Sequence, residues 1–403
     1  MNLAASTRFR VTSIDFVRGL VMVIMALDHV RDYFFRVPSD EAAAYALGPT
    51  DPGTTTPALF FTRWITHFCA PAFVLLTGTA AYLNGAKKSK NELSKYLLTR
   101  GIFLVLLEIF IVTLGWTFNP FYNVVILQVI WAIGISMIIM AAVVQLPYKA
   151  ILVIGLLMIF GHNLMDIPSV SAPVKGGPVA DLLYFSNFAY YELFKNHGVV
   201  IVYAFLPWTG LMMLGYCLGK YYENKVDPAT RRKFLMNLGL AMILLFILLR
   251  FINVYGDPVP WSKQSRGVFY TFLSFLNTNK YPPSLLFLLM TLGPIMIILA
   301  QAESWGGKLA AVLKMYGRVP LFYYILHFYI IHTIVVIVFY MQGFEKKDIA
   351  GENNLFLFCP PEFGFGLLGV YLVWITVVLI LYPLCKWYDR YKSTHKKWWL
   401  KYI

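Results

Sequence analysis

Charge is scarce in this 403-residue chain: Asp, Glu, Lys and Arg together make up 13% of it, about half the share usual in soluble domains. With 59% hydrophobic residues and a mean hydropathy of +0.65, that scarcity excludes an ordinary soluble enzyme. Cysteine is scarce too. Cys69, Cys217, Cys359 and Cys385 form no CxxC pair, and at least the first two fall inside apolar blocks, so neither a disulfide framework nor a metal site is expected. GxSxG, P-loop, HExxH and strand-linked GxGxxG patterns are missing, which removes the common soluble hydrolase, nucleotide and zinc-protease readings. There is no low-complexity segment, no solenoid period and no second soluble domain, so residues 1–403 are expected to form a single unit.

What is present is a series of apolar blocks, many of 18 or more residues, the length that spans a bilayer. The expected fold class is all-α, a polytopic integral membrane protein of about ten transmembrane helices. The spans are predicted at 14–36, 59–83, 97–118, 122–144, 149–166, 197–219, 234–254, 283–300, 319–341 and 365–386. The net charge is +14, but the basic residues sit in short segments between blocks rather than in one patch, so no nucleic-acid partner is expected. Of 34 Lys and Arg, 23 fall on the side that carries both ends of the chain and 11 on the other. Positive residues stay cytoplasmic, which predicts cytoplasmic termini. The opening MNLAASTRFR and the small residues Ala42 to Ala44 resemble parts of a signal peptide. The apolar run that follows is too long and too ionisable at its end, so cleavage is not expected.

The long connections 37–58, 167–196, 255–282 and 342–364 all fall on the outer side and are rich in Pro, Gly, Asn and aromatics, as expected of ordered caps or a vestibule. Two stretches within them, DLLYFSNFAYYELF and GVFYTFLSFL, are apolar enough to lie in the interface or dip into the bundle.

Ionisable residues at membrane depth are costly unless paired or wetted, and so mark candidate sites. Counting ~1.5 Å per residue from the outer helix ends, His29, His67 and His332 fall at nearly one level, with His327 deeper. Asp28, His29 and Asp32 project from neighbouring faces of the first helix, where a carboxylate could fix the tautomer of an imidazole base. The same charges would simply be solvated if that helix ended four residues earlier. Arg63 and His67 lie one turn apart on the second helix, with Pro71 a turn further in. On the cytoplasmic side Arg18, Lys220 and Arg318 could hold the phosphates of a nucleotide-like donor or serve as topology anchors, Arg18 then pairing with Asp15. His162, Asp166 and His197 flank an outer connection with no diagnostic spacing, and are read as surface features.

Four stretches carry a family resemblance: SIDFVRGLVMVIMALDHVRDYF, TTTPALFFTRWITHFCAPAFVLLTGTAAYL, FLPWTGLMMLGYCLGK and GRVPLFYYILHFYIIH. In this order they resemble the bacterial proteins related to heparan-α-glucosaminide N-acetyltransferase, within a wider group of transmembrane acyltransferases. The resemblance implies a helical bundle in the bacterial inner membrane. It implies transfer of an acetyl group from cytosolic acetyl-CoA to an amine or hydroxyl of a saccharide acceptor on the far side. The lysosomal relative has its essential histidine just after the first helix, whereas Tyr33 to Pro57 contains none here. That leaves His29 and His67 as candidates, with Asp28 or Asp32 orienting His29, and with Arg63 or His67 stabilising an oxyanion. Arg18, Lys220, Arg318 and His327 are the donor-site candidates. A homodimer is compatible with this reading. Two other classes stay open: a proton-coupled transporter using Asp28, His29, His67 and His327 as a relay, and a non-catalytic assembly or sensing subunit.

Overall fold

The computed structural model describes residues 11–36, 48–350 and 355–401. The N-terminal segment bearing on the leader, residues 37–47 with Ala42 to Ala44, and 351–354 of the last outer connection lie outside the described residues. The chain is 70% helical with little strand. In chain order the principal elements are α1 (Thr12–Phe34), α2 (Pro57–Gly85), α3 (Lys90–Thr117), β1 (Val124–Leu127), α4 (Val129–Val143), α5 (Tyr148–Gly161), β2 (Ala189–Phe194), β3 (His197–Ile201), α6 (Leu206–Leu218), α7 (Pro228–Ile252), α8 (Val268–Leu276), α9 (Leu285–Gln301), α10 (Gly307–Arg318), α11 (Pro320–Met341) and α12 (Leu367–Thr394).

Six of these are long and apolar enough to cross a membrane: α2, α3, α5 with its 3-10 extension to Asp166, α7, α11 and α12. The chain is therefore an integral membrane protein. Helices α4 and α9 are apolar but shorter. The apolar stretch of α2 is 72% buried within the protein, whereas those of α7 and α12 are 22% and 17% buried. Helix α2 thus belongs to the centre and the other two to the lipid-facing rim, where an apolar outer face is stable. The long helix α1 carries Asp15, Arg18, Asp28, Arg31 and Asp32, yet is buried over most of its length.

Close helix pairs are built on glycine, as expected where lipid supplies no hydrophobic drive and contact depends on small residues. Gly19 of α1 faces Gly317 of α10, and Gly78 of α2 faces Gly215 of α6. A Cβ at Gly19 would sit 1.8 Å from the Leu313 carbonyl oxygen, and one at Gly78 would sit 2.1 Å from that of Met212. These crossings press α1 and α2 into the middle of the bundle.

Two expected spans begin too early. Residues 122–128 and 197–205 open not as helix but with the strands β1 and β3, which pair in parallel with Val124 opposite Gly198; β2 adds antiparallel to β3. Runs of Val and Ile favour extended backbone, and an unbroken apolar run has no period to separate strand from helix. The expected helical character holds, with this small sheet as an addition the sequence did not indicate. DLLYFSNFAYYELF forms a π-helical turn and β2, with Tyr190, Leu193 and Phe194 exposed, while GVFYTFLSFL supplies α8. Helix α10, expected to be a connection, is amphipathic and packs Ala310, Leu313 and Tyr316 inward.

Two buried ionisable groups hold the frame. The Glu108 carboxyl group, on a π-helical turn of α3, accepts the Trp131 N–H at 3.0 Å. It caps the start of α4, whose own N-cap side chain makes no capping bond. Arg250, fully buried at the end of α7, donates to the carbonyls of Phe275, Val259, Ser274 and Asn277 at 2.8–3.0 Å, with Asp257 at 3.7 Å. It fastens the segment that leads to Lys280.

Candidate active site

Where α1 crosses α11, His29 Nδ1 lies 2.6 Å from His327 Nε2. The other nitrogen of His327, Nδ1, bonds the carbonyl oxygen of Tyr324, one turn back on α11. A carbonyl only accepts, so Nδ1 of His327 carries the proton; in a neutral ring its Nε2 is then bare and accepts from His29 Nδ1–H. The hydrogen-bond chain therefore assigns the lone pair of His29 to Nε2, as an inference from the network rather than an observed hydrogen. Trp116 and Phe328 pack on the His29 ring with centroids 4.9 and 4.6 Å away. His327, expected among the donor-site residues, is paired here with His29 and with the Tyr324 carbonyl.

Beside this pair lies a closed ion network. Arg31 donates to Asp28 at 2.9 Å and to Asp32 at 2.5 Å, and Arg63 bonds the other Asp28 oxygen. Two carboxylates meet two guanidiniums, and Asp28, Arg31 and Arg63 are nearly sealed from solvent. Asp28 and Asp32 turn toward the arginines. Among the described residues neither hydrogen-bonds His29, and its orienting partner is His327. Lys280, half-buried, brings another positive charge within electrostatic reach of Asp28 and His67.

His67 occupies the 3-10 turn Ile65–Phe68 that interrupts α2, with Phe287 at 5.4 Å and with its buried Nδ1 unpartnered. Among the described residues no hydrogen bond or ring contact joins it to His29. His332, which shares its expected depth, is fastened between the Gly115 and Leu357 carbonyls and stacked 4.0 Å from Phe118. His162 is buried rather than on the surface, bonding the Met158 and Pro283 carbonyls.

A cavity of about 690 Å³ opens among the helix ends that bear the basic connections. Six basic side chains line it, Arg18, Lys88, Lys95, Arg100, Arg318 and Lys392, against two acidic ones, Asp15 and Glu92. Its deeper wall includes Met22, Leu104, Ile133 and Tyr324. Arg318 is also bonded by Asp389 at 2.8 Å, and Arg18 donates to the Leu76 carbonyl at 2.8 Å. Lys220 does not line this cavity; its ammonium sits 5.1 Å from the Tyr148 ring centroid. A second cavity, of about 550 Å³ between α7, α8 and α9, has no charged residue in its wall and does not suit a phosphorylated ligand.

Sequence reasoning missed Glu108 and Tyr324. The signals were there: a lone carboxylate inside LVLLEIFIV, and a tyrosine three residues before His327, hence on its face of the helix.

The molecule thus defines a class: a helical integral membrane protein with a buried histidine pair behind a basic cavity. Residues 10–252, from the start of α1 to the end of α7, match the family described as heparan-alpha-glucosaminide N-acetyltransferase, catalytic. The chain belongs to that family. The matched region carries Arg18, Asp28, His29, Arg63 and His67, while Arg318, Tyr324 and His327 lie beyond it. A comparison with curated proteins gives no match.

Proposed function

We propose that the protein is a transmembrane acetyltransferase that takes acetyl from cytosolic acetyl-CoA and gives it to an amine or hydroxyl of a saccharide on the other side. The observation that carries this reading is that one residue, Tyr324, joins the cavity wall to the histidine pair. The cavity wall includes Tyr324, and the carbonyl of that same residue holds His327 and through it His29. Arg18, Lys88, Lys95, Arg100 and Lys392, with Arg318, suit the phosphates of CoA by charge-assisted bonds. Lys220 has no part in this reading.

In the transfer, His29 Nε2 takes the proton as the acceptor heteroatom attacks the thioester carbon. His327 holds the ring and delocalises the positive charge that builds on it. When the C–S bond breaks, His29 returns the proton to the thiolate, so that CoA leaves as the thiol. The ion network around Asp28 keeps Arg63 and His67 beside the outer approach, where an acceptor hydroxyl could bond the free His67 nitrogen. The full topology belongs to the same reading. The whole chain is one transmembrane unit with ten crossings, α1 to α7, α9, α11 and α12, and cytoplasmic termini, in a bacterial cytoplasmic membrane. Helix α8 then lies at the outer face and α10 at the inner one.

Purified protein in detergent or nanodiscs should bind acetyl-CoA and release CoA thiol in the presence of glucosamine, and H29A should keep binding while losing turnover. A wild-type protein that binds no acyl-CoA would overturn the reading.

A further inference from the structure

Ten buried side-chain polar positions lack a hydrogen-bond partner among the described residues, on Arg31, His67, Glu108, Trp116, Trp131, Trp208, Tyr222, Tyr323, Tyr324 and Tyr388. Only one of those residues also lines the basic cavity, and that is Tyr324. A buried hydroxyl without a partner has lost its water without replacing it, so a ligand that supplies an acceptor there recovers a bond the folded chain leaves unmade. The backbone of the same residue holds His327, which ties the hydroxyl to the histidine pair within one turn of α11.

From this coincidence we propose that the Tyr324 hydroxyl donates to the thioester oxygen and stabilises the oxyanion formed on it; the inference rests on the acetyltransferase reading above. The charged alternative for this role, Arg63, is already engaged by Asp28, and His67 lies on that outer network rather than in the cavity wall. The step balances without any further reactant. The acceptor's lone pair forms the new bond to the carbonyl carbon, and the C=O π pair moves onto oxygen, where Tyr324 O–H donates to it. The acceptor's proton passes to His29 Nε2. As the oxygen pair returns, the C–S bond breaks and the thiolate takes the proton back from His29. Tyr324 stays protonated throughout and acts only as a donor, its ring held between Phe328 at 5.2 Å and His327 at 5.4 Å.

The test compares Y324F with wild type and with Y323F, the neighbouring tyrosine whose hydroxyl is equally unpartnered but which does not line the cavity. CoA thiol release is measured from acetyl-CoA with glucosamine as the probe acceptor, normalised to CoA-binding sites so that only folded molecules count. Loss of one oxyanion donor lowers kcat by about 10²–10³-fold. Y324F should show that loss with a KM for acetyl-CoA within about twofold of wild type, while Y323F turns over normally. Retention of more than a third of wild-type kcat by Y324F, or a loss of acetyl-CoA affinity that accounts for its defect, would overturn the assignment. If wild type turns over and Y324F is unimpaired, the oxyanion role alone fails; if wild type neither binds nor turns over, the acetyltransferase reading fails and takes this role with it.

Discussion

The protein handles charge in two different ways in two regions, buried around Asp28 and half-buried to exposed around the basic cavity. Around Asp28 two carboxylates meet two guanidiniums at ion-pair distance, with Lys280 adding a further positive charge nearby. In the basic cavity six cations face two carboxylates across about 690 Å³. A balanced network leaves little net charge to draw a ligand, whereas an excess of one sign in a concave site raises the local concentration of the opposite sign. The cluster around Asp28 therefore reads as architecture and the cavity as a place for a polyanion. The histidine pair lies between them.

The largest effect expected on that comparison comes from the residue between the regions. H29A removes the proposed base, and general-base loss is worth about 10²–10⁴ in rate. Turnover should fall by that order while acetyl-CoA affinity, set in the cavity, changes less than about twofold. The conservative H327N should be milder than H29A, because an amide can still accept from His29 Nδ1–H but cannot share its positive charge. Stopped turnover assays and equilibrium CoA binding on the same preparations separate the two, and a loss of binding in H29A would erase the distinction between the regions.

Next comes the closed network. R63A leaves Asp28 half-answered in a nearly sealed site, and breaking a buried pair typically costs 3–5 kcal/mol. Thermal unfolding in nanodiscs should show a marked drop for R63A, with the double variant D28N/R63A recovering part of it because the stranded charge is gone. Equal destabilisation in single and double variants would mean that the charges do not form a unit.

The split between closed and open charge is also where the sequence was hardest to read. Hydropathy alone places α2, α9 and α11 to within two residues at each end, whereas α3 and α7 begin seven and six residues before their expected spans and α12 runs eight residues past its own, because helix continues into polar flanks that hydropathy does not count. It cannot place β1 and β3, whose Val and Ile runs are as apolar as helix, nor α10, whose apolar face is only one side of a polar-looking segment. The depth estimate drew attention to His29, His67 and His332 together, but depth is one coordinate of three. His327, a turn and more deeper on α11, meets His29 because α1 crosses α11, and His332 is spent on backbone carbonyls. Likewise, Asp28 adjoins His29 in sequence, yet helical geometry sends consecutive side chains about 100° apart, so the carboxylate goes to the arginines instead.

A smaller effect is expected in the open cavity, where no single cation dominates. R100A or K95A should weaken acetyl-CoA binding by about three- to tenfold each, within the range of one charge-assisted bond, with kcat nearly unchanged. Raising ionic strength should weaken binding in wild type and do so less in these variants, because screening acts only on the charges that remain.

The smallest effect, and the sharpest check on where the cavity is, belongs to Lys220. By sequence it stands level with Arg18 and Arg318 as a cytoplasmic cation, and any scheme that counts positive charge along the chain treats the three alike. In the fold its ammonium rests over Tyr148, on the side of the bundle where α5 meets α6, outside the cavity wall. K220A should leave acetyl-CoA affinity, its salt dependence and kcat within about twofold of wild type, at a stability loss no larger than the 0.5–1 kcal/mol of an exposed cation–π contact. A tenfold loss of affinity in K220A would show that the donor's phosphates reach the α5–α6 side, and that the six-cation cavity is not the place where CoA is held.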